Sequence, residues 1–320
     1  MKAFTKKRYG GPEVLSLEEI KPPSIGPREL LVRVKANSLN PADWHILRGK
    51  PYFARLSFGL FKPKNLVLGS DFAGQVEAVG KDITQFKVGD KVFGENLEGA
   101  FAESTACAAA NIALMPESCS YEEMAAIPIA GLTALQALRD HGHLQRGESV
   151  LINGASGGVG HYAVQIAKAM GAKVTGVCSS RNKDFVKSLG ADLVLAYDEE
   201  GFKSFNEQHD LVIDCHGNLL HADFKRFGQR AVLVGFTTMK HMFTLLLTNV
   251  FSKYSIGQFT AKVVAKDLAT LAEMIESKQI KSHIEQIYPA MEIPQAIAHI
   301  EKMRTRGKVV ASWTYLQPLT

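Results

Sequence analysis

Between Val150 and Gly160 the chain reads VLINGASGGVG, an apolar run that breaks into Gly154, Gly157 and Gly160 at even spacing. The run HYAVQIAKAM follows, with the apolar periodicity of a helix. A strand that turns through such glycines into a helix constrains the fold strongly. The turn is tight, backbone amides stand open to an anion, and helix and sheet pack closely. Unpaired N–H groups and the positive end of the helix dipole then face the same point. A second strand, AKVTGVCSS (Ala172–Ser180), completes the unit. The expectation is a bound dinucleotide, its pyrophosphate held by Gly154, Ser156, Gly157, Gly158, Val159 and Gly160.

The end of that second strand bears on which dinucleotide. An acid at this place bonds the ribose 2′-hydroxyl and repels a 2′-phosphate. Here Ser179, Ser180 and Arg181 stand instead, then Lys183, and the first carboxylate is Asp184. Hydroxyls and a guanidinium fork suit a 2′-phosphate, so NADPH is the expected cofactor. A solvated Arg181 at a helix start is the plainer alternative.

The alternation of strand and helix continues through DLVLAY, DLVIDC and AVLVG, with helices expected near 199–208 and 219–227. That rhythm predicts an α/β domain with a doubly wound parallel sheet over 124–258. Residues 1–123 have another texture: short β-branched runs punctuated by GG, PP, NP and GD. After 259 come a helix near 266–277, a second over 293–304 and the closing strand RGKVVASW. This tail is expected to rejoin the first domain, making 1–123 and 259–320 one discontinuous β-rich unit.

Composition narrows the class. Hydrophobic residues make up 46% and charged residues 22%, as in an ordinary globular protein. The net charge of +5 is dispersed, and no groove of aromatics interleaved with cations is visible, so nucleic acid is not an expected partner. The N-terminal MKAFTKKRYGG lacks the apolar run of a secretory signal. The most apolar stretch, 239–251, is too short to span a bilayer and contains Lys240 and His241. Cys107, Cys119, Cys178 and Cys215 are widely spaced with no CxxC pair, which fits free thiols in a reducing cytosol.

Several stretches, in order, resemble the medium-chain dehydrogenase/reductase superfamily: NPADWHILRG (40–49), LGSDFAGQVEAVG (68–80), FKVGDKVFG (86–94), GAFAES (99–104), AAIPIAGLTALQAL (125–138), the glycine turn, SLGADLVLAY and RGKVV. The resemblance covers nearly the whole chain. It implies a GroES-like β-rich catalytic domain plus a Rossmann domain, and a homodimer. In zinc-using members a Cys ligand lies within the segment matching 37–43, and a His-Glu pair follows the glycine matching Gly69. This chain has Asn40-Pro41 and Ser70-Asp71 there. Asn, Pro and Ser do not make a catalytic zinc site, so no metal is expected. The chain is therefore most similar to the zinc-independent quinone oxidoreductase branch, which includes zeta-crystallin and reductases of enones and alkenals.

The same resemblance implies roles residue by residue. Asn40 lies near the nicotinamide and its ribose, or is simply an Asn-Pro turn. Thr133, read as the start of a helix, faces the nicotinamide side. Tyr197 packs near the adenine end, or is a core aromatic. Phe236 follows the fifth strand of the Rossmann sheet, and Lys308 lies close to the cofactor. Tyr52, in RGKPYF, is the candidate to bond a substrate oxygen and relay a proton, with Asn40 beside it in the catalytic set. Asp43 and Asp71 are expected to support the architecture and need not titrate. Substrate choice is expected to lie in loops such as 52–64. The function expected is NADPH-dependent hydride transfer to quinones or α,β-unsaturated carbonyls, an acyl thioester or lipid-derived enone being a variant. The alternative is an NADPH-binding protein with a sensing, structural or RNA-binding role.

Overall fold

The computed structural model describes residues 1–96, 99–235, 244–245, 248 and 254–314. They form two compact units: Met1–Ile129 with Val263–Glu276 and Ser282–Thr320, and Ala130–Lys262 with Ser277–Lys281. The sequence texture changes near 123 and 259, a few residues before each of these borders.

In the first unit β1 (Lys2–Lys6) and β2 (Leu15–Glu19) pair as an antiparallel ribbon. The main sheet is built on β3 (Glu29–Leu39), whose alternating burial gives one apolar face. One edge of β3 pairs antiparallel with β4 (Asp71–Val79), which pairs in turn with β5 (Lys91–Glu95). The strand is long enough for two further partners placed end to end. β6 (Ser104–Ala108) takes Glu29–Arg33, while β15 (Lys308–Ser312) takes Ala36–Leu39. β7 (Ile112–Leu114) joins β5, and β14 (Ile284–Pro289) runs parallel to β15. Phe72, Phe101, Leu30, Val32 and Val309 fill the core with Ile293 and Ile297 of the helix Ile293–Ile300. That helix stops short of the predicted residue 304, ahead of the polar run MRTRGK that begins at Met303.

Helix α1 (Pro41–Arg48) follows β3 directly. Pro41 at the first helical position starts it, Asp43 accepts the Asn40 N–H, and Gly49 ends it in a left-handed conformation. Two short helices, α2 (Arg55–Phe58) and α3 (Tyr121–Ala125), complete the N-terminal part, and α4 (Pro128–Gln136) leads onward.

The second unit is a six-stranded sheet, parallel throughout. Its strands are β8 (Ser149–Asn153), β9 (Lys173–Cys178), β10 (Leu193–Ala196), β11 (His209–Asp214), β12 (Gly228–Leu233) and β13 (Ile256–Gln258). The spatial order β10-β9-β8-β11-β12-β13 is the doubly wound Rossmann order, which reverses between β8 and β11. Helices α5 (Gly160–Ala169), α6 (Lys183–Ser188), α7 (Glu200–Ser204) and α8 (His221–Phe227) are the crossovers among the first five strands. Val150, Leu151 and Ile152 are buried, as their apolar run predicts for a central parallel strand.

Candidate active site

The glycine turn lies at the carboxyl end of β8, beside the reversal in strand order. The Gly154 and Ala155 amides both donate to the Val177 carbonyl, which ties the turn to β9. Gly154 has φ +75°, a conformation L side chains rarely adopt. At Gly160 the constraint is space: an added Cβ would lie 2.1 Å from the Gly154 carbonyl oxygen. Helix α5 therefore starts hard against its own turn. The amides of Ser156, Gly158 and Val159 have no backbone acceptor among the described residues, which leaves them for an anion. Asn182 donates to the Ser156 hydroxyl at 3.0 Å, so its own proton remains to be given. No sequence motif marks Asn182; it sits in the β9–α6 connection, whose role is visible only in space.

Asp214, at the end of β11, is the other organiser that the motif reading misses. Fully buried, it accepts from the amides of His216, Gly217, Asn218 and Leu219 and from the Asn153 side chain. It thus shapes the loop facing the glycine turn, and only one Asp at a strand end hints at it in sequence.

The end of β9 differs from its appearance in sequence. No acid follows the strand directly, but parallel pairing of β9 with β10 brings Asp198 alongside. Asp198 accepts from the Ser180 amide at 2.8 Å and from its hydroxyl at 2.9 Å. These bonds hold the Asp198 carboxyl below its ordinary range. Lys183 is likewise bonded to Glu199 at 2.9 Å. Ser179 is half-buried and Arg181 exposed. Tyr197 is 57% exposed, which rules out the core-aromatic reading. Thr133 is buried well inside α4 and does not start a helix. Phe236 lies outside the described residues.

The first unit gathers a different set. Sheet register places Lys308 at the start of β15, Asn40 just past β3, Asp71 at the start of β4 and Glu95 at the end of β5, all at one end of adjacent strands. The Lys308 ammonium donates to the Asn40 Oδ1 at 2.5 Å and to the Leu39 carbonyl at 3.3 Å. The Asn40 amide nitrogen donates to Asp71 at 2.8 Å. Asp71 also accepts from the Ile129 amide, and Ser70 donates to Asp43 at 3.3 Å. Asn40 thus bridges a buried cation and a buried anion, so its side chain is fixed at both ends.

One ammonium faces three carboxyls in this low-dielectric cluster. Burial pushes Asp43 up to about 7, with the neighbouring Asp71 adding to the rise. Asp71 and Glu95 are raised by the same desolvation, and Lys308 is lowered by it. Asp43 and Asp71, expected to support the architecture, are fully buried, and that burial disfavours their ionised forms. Tyr52 stands apart from the cluster. It is 66% exposed, with Lys50 and Arg55 over its ring.

Two family models match the chain, an alcohol dehydrogenase GroES-like domain over residues 26–164 and a zinc-binding dehydrogenase domain over 189–310. A chloroplast envelope quinone oxidoreductase homolog of Arabidopsis thaliana is 31% identical, the alignment covering 97% of this chain and 98% of that protein. The chain belongs to the quinone oxidoreductase branch of the medium-chain dehydrogenase/reductase superfamily. Further similarity is to a 2-methylene-furan-3-one reductase of Solanum lycopersicum, 32% identical over 97% of this chain and 78% of that one. The solved quinone oxidoreductase of Coxiella burnetii superposes with a TM-score of 0.86 at 29% identity, covering 98% and 99% of the two chains. The chain is accordingly an oxidoreductase that uses a nicotinamide cofactor. The phosphate turn fits such a group, because the Ser156, Gly158 and Val159 amides have no backbone acceptor among the described residues and the space over Gly157 is open.

Zinc fits less well, whatever the family model is called. At the two ligand positions stand Asn40, already bonded at both ends, and Ser70, bonded to Asp43. Among the described residues no group of three His, Cys, Asp or Glu side chains is placed to hold a metal ion.

Proposed function

We propose that this oxidoreductase is a zinc-independent, NADPH-dependent reductase of quinones and α,β-unsaturated carbonyls. The observation that carries the reading is the engagement of Asn40 by Lys308 and Asp71, at the place where a zinc ligand would be needed. Without a Lewis acid, acceptors that take hydride readily are favoured over simple ketones. The Arabidopsis relative is named for a quinone and the tomato relative for an exocyclic enone, which supports the same acceptor class.

When bound, the nicotinamide supplies the hydride. The chain binds and orients: the Ser156, Gly158 and Val159 amides hold the diphosphate, and Arg181, Ser179 and Ser180 receive the 2′-phosphate. Tyr197, on the surface beside Asp198, offers its ring to the adenine end. Thr133 and Phe236 are assigned to the nicotinamide side. In the other unit, Tyr52 is the donor for the oxygen that becomes negative. Asn40 is a positioning residue, held in one orientation by Lys308 and Asp71. Among the described residues no cysteine is in a disulfide, which suits a reducing compartment such as the cytosol, and the family resemblance favours a homodimer.

NADH is a second reading with an observation of its own. Asp198 occupies the Ser180 amide and hydroxyl, and a carboxylate there accepts from a ribose 2′-hydroxyl. One set of assays tests both. Purified protein should oxidise NADPH with phenanthrenequinone, naphthoquinone or an enal, undiminished after chelator dialysis. No turnover with any acceptor removes the enzymatic proposal, and equal kcat/KM with NADH removes the 2′-phosphate assignment.

A further inference from the structure

From Trp44 to Ser70 the chain contains no Asp or Glu, while Arg48, Lys50, Arg55, Lys62 and Lys64 all fall within it. Two of these cations are engaged internally. Arg48 pairs with Glu301, and Arg55 donates to the Gly49 carbonyl while lying over Tyr9 and Tyr52. Lys50, Lys62 and Lys64 remain exposed, with no acidic partner among the described residues. Large apolar side chains crowd the same stretch. Of the fifteen exposed ones in the described residues, six lie here: Tyr52, Phe53, Leu56, Leu60, Phe61 and Leu66. Phe61 is 90% exposed and Leu56 74%, values that no buried-core argument explains.

The backbone makes a protrusion of them. The Lys64 amide donates to the Phe58 carbonyl at 2.8 Å, closing a short loop with Leu60 and Phe61 between its ends. The base is fixed by the Tyr9 hydroxyl, which donates to the Gly59 carbonyl. Gly59 has φ +114°, and a Cβ there would stand 2.0 Å from the Lys62 carbonyl oxygen, so only glycine permits the bend. A rigid base thus carries an apolar tip with lysines immediately behind it.

We propose that residues 50–66 form a docking loop for an anionic lipid surface. Leu60 and Phe61 seat below the headgroups, and Lys50, Lys62 and Lys64 pair with lipid phosphates. No helix among the described residues is long and apolar enough to cross a membrane, and an apolar tip backed by cations holds a chain to the bilayer interface without one. Charge also argues against a second copy as the occupant. A two-fold contact on this face would set this basic patch against the same patch of the other copy, with no acid between Trp44 and Ser70 to separate the charges. The lipid contact does not depend on the reaction proposed above.

The test uses the full chain and sedimentation with vesicles of phosphatidylcholine alone or with one third phosphatidylglycerol. Wild-type protein should pellet with the anionic vesicles only, and added salt should release it. The double variant Leu60→Ser, Phe61→Ser, altered at exposed positions, should bind about tenfold more weakly. Its melting midpoint should match that of wild type, which separates lost docking from lost folding. In Phe61→Trp, emission should shift to the blue on the same vesicles and be quenched by brominated acyl chains. The proposal is overturned by wild-type protein that ignores anionic vesicles, or by a double variant that binds them as well as wild type. It is equally overturned if the double variant turns an oligomer into a monomer in sedimentation velocity. Competition by an acidic protein, with no emission shift from the Phe61→Trp variant on vesicles, would assign the loop to a protein partner instead.

Discussion

Gly160→Ala perturbs the phosphate turn at its tightest point. The added Cβ would stand 2.1 Å from the Gly154 carbonyl oxygen and 2.8 Å from the Ala155 Cα, both backbone atoms that cannot rotate aside. Helix α5 must then back away from its turn. Overpacking of this kind costs about 1–3 kcal/mol, which lowers a melting midpoint by several degrees in a chain of this size. The same retreat draws the turn amides off a diphosphate. Losing one hydrogen bond to a charged acceptor costs about 1.5–3 kcal/mol, or roughly ten- to a hundredfold in dinucleotide Kd. Gly157→Ala is the matched control. Its Cβ would meet only the Gly154 carbonyl oxygen, at an ordinary 3.4 Å, and would otherwise point into open space. Stability should therefore hold within about 0.5 kcal/mol, while the methyl group weakens dinucleotide binding. Thermal unfolding and calorimetric titration read both quantities. If Gly160→Ala melts and binds like wild type, or Gly157→Ala is equally destabilised, the packing argument fails.

Other outcomes follow from the two polar clusters. Asp198→Ala releases the Ser180 amide and hydroxyl and should raise the ratio of kcat/KM with NADPH to that with NADH about tenfold. Arg181→Ala should lower the same ratio, and a shift of the Asp198 variant toward NADH would reverse the assignment of that strand end. Asp43 holds its proton to about pH 7 when folded, against 3.8 for an ordinary Asp. Between these values the native state binds the extra proton, so its stabilising share is full below about pH 4 and lost as pH rises through about 7. Asp43→Asn should flatten the fall in urea midpoint between about pH 5 and pH 7; an unchanged slope refutes the protonated carboxyl. Lys308→Met leaves Asp71 buried without its cation and should cost about 3–5 kcal/mol in urea unfolding. Asp71→Asn added to it should recover part of that loss, and a cost below about 1 kcal/mol would show the ammonium to be dispensable.

What is legible in the sequence is local. The strand, glycine turn and helix around Gly157 need only neighbours along the chain, and their order with DLVLAY and DLVIDC is enough to predict a parallel sheet. The missing pieces depend on register. Asp198 reaches Ser180 because β10 lies beside β9, and nothing at Ser180 itself announces it. Glu95 joins Asp71 through a cross-strand pairing of β4 and β5. The same pairing sets a further buried carboxyl beside the acids that the sequence reads as supports. Thr133 is misread in sequence for a simpler reason: the helix begins at Pro128, an N-terminal signal that the GLTA stretch obscures.

The insertion of β15 between β14 and β3 has a bearing on how the chain is made. Lys308 is the cation nearest the buried Asp71, and it arrives on the last described strand. The carboxyls of that cluster, Asp43, Asp71 and Glu95, have all left the ribosome long before it. The N-terminal sheet can therefore take its final strand order only after the whole Rossmann unit has been synthesised. Translation order makes the nucleotide-binding half the first that can finish, and leaves the half bearing Asn40 as the last.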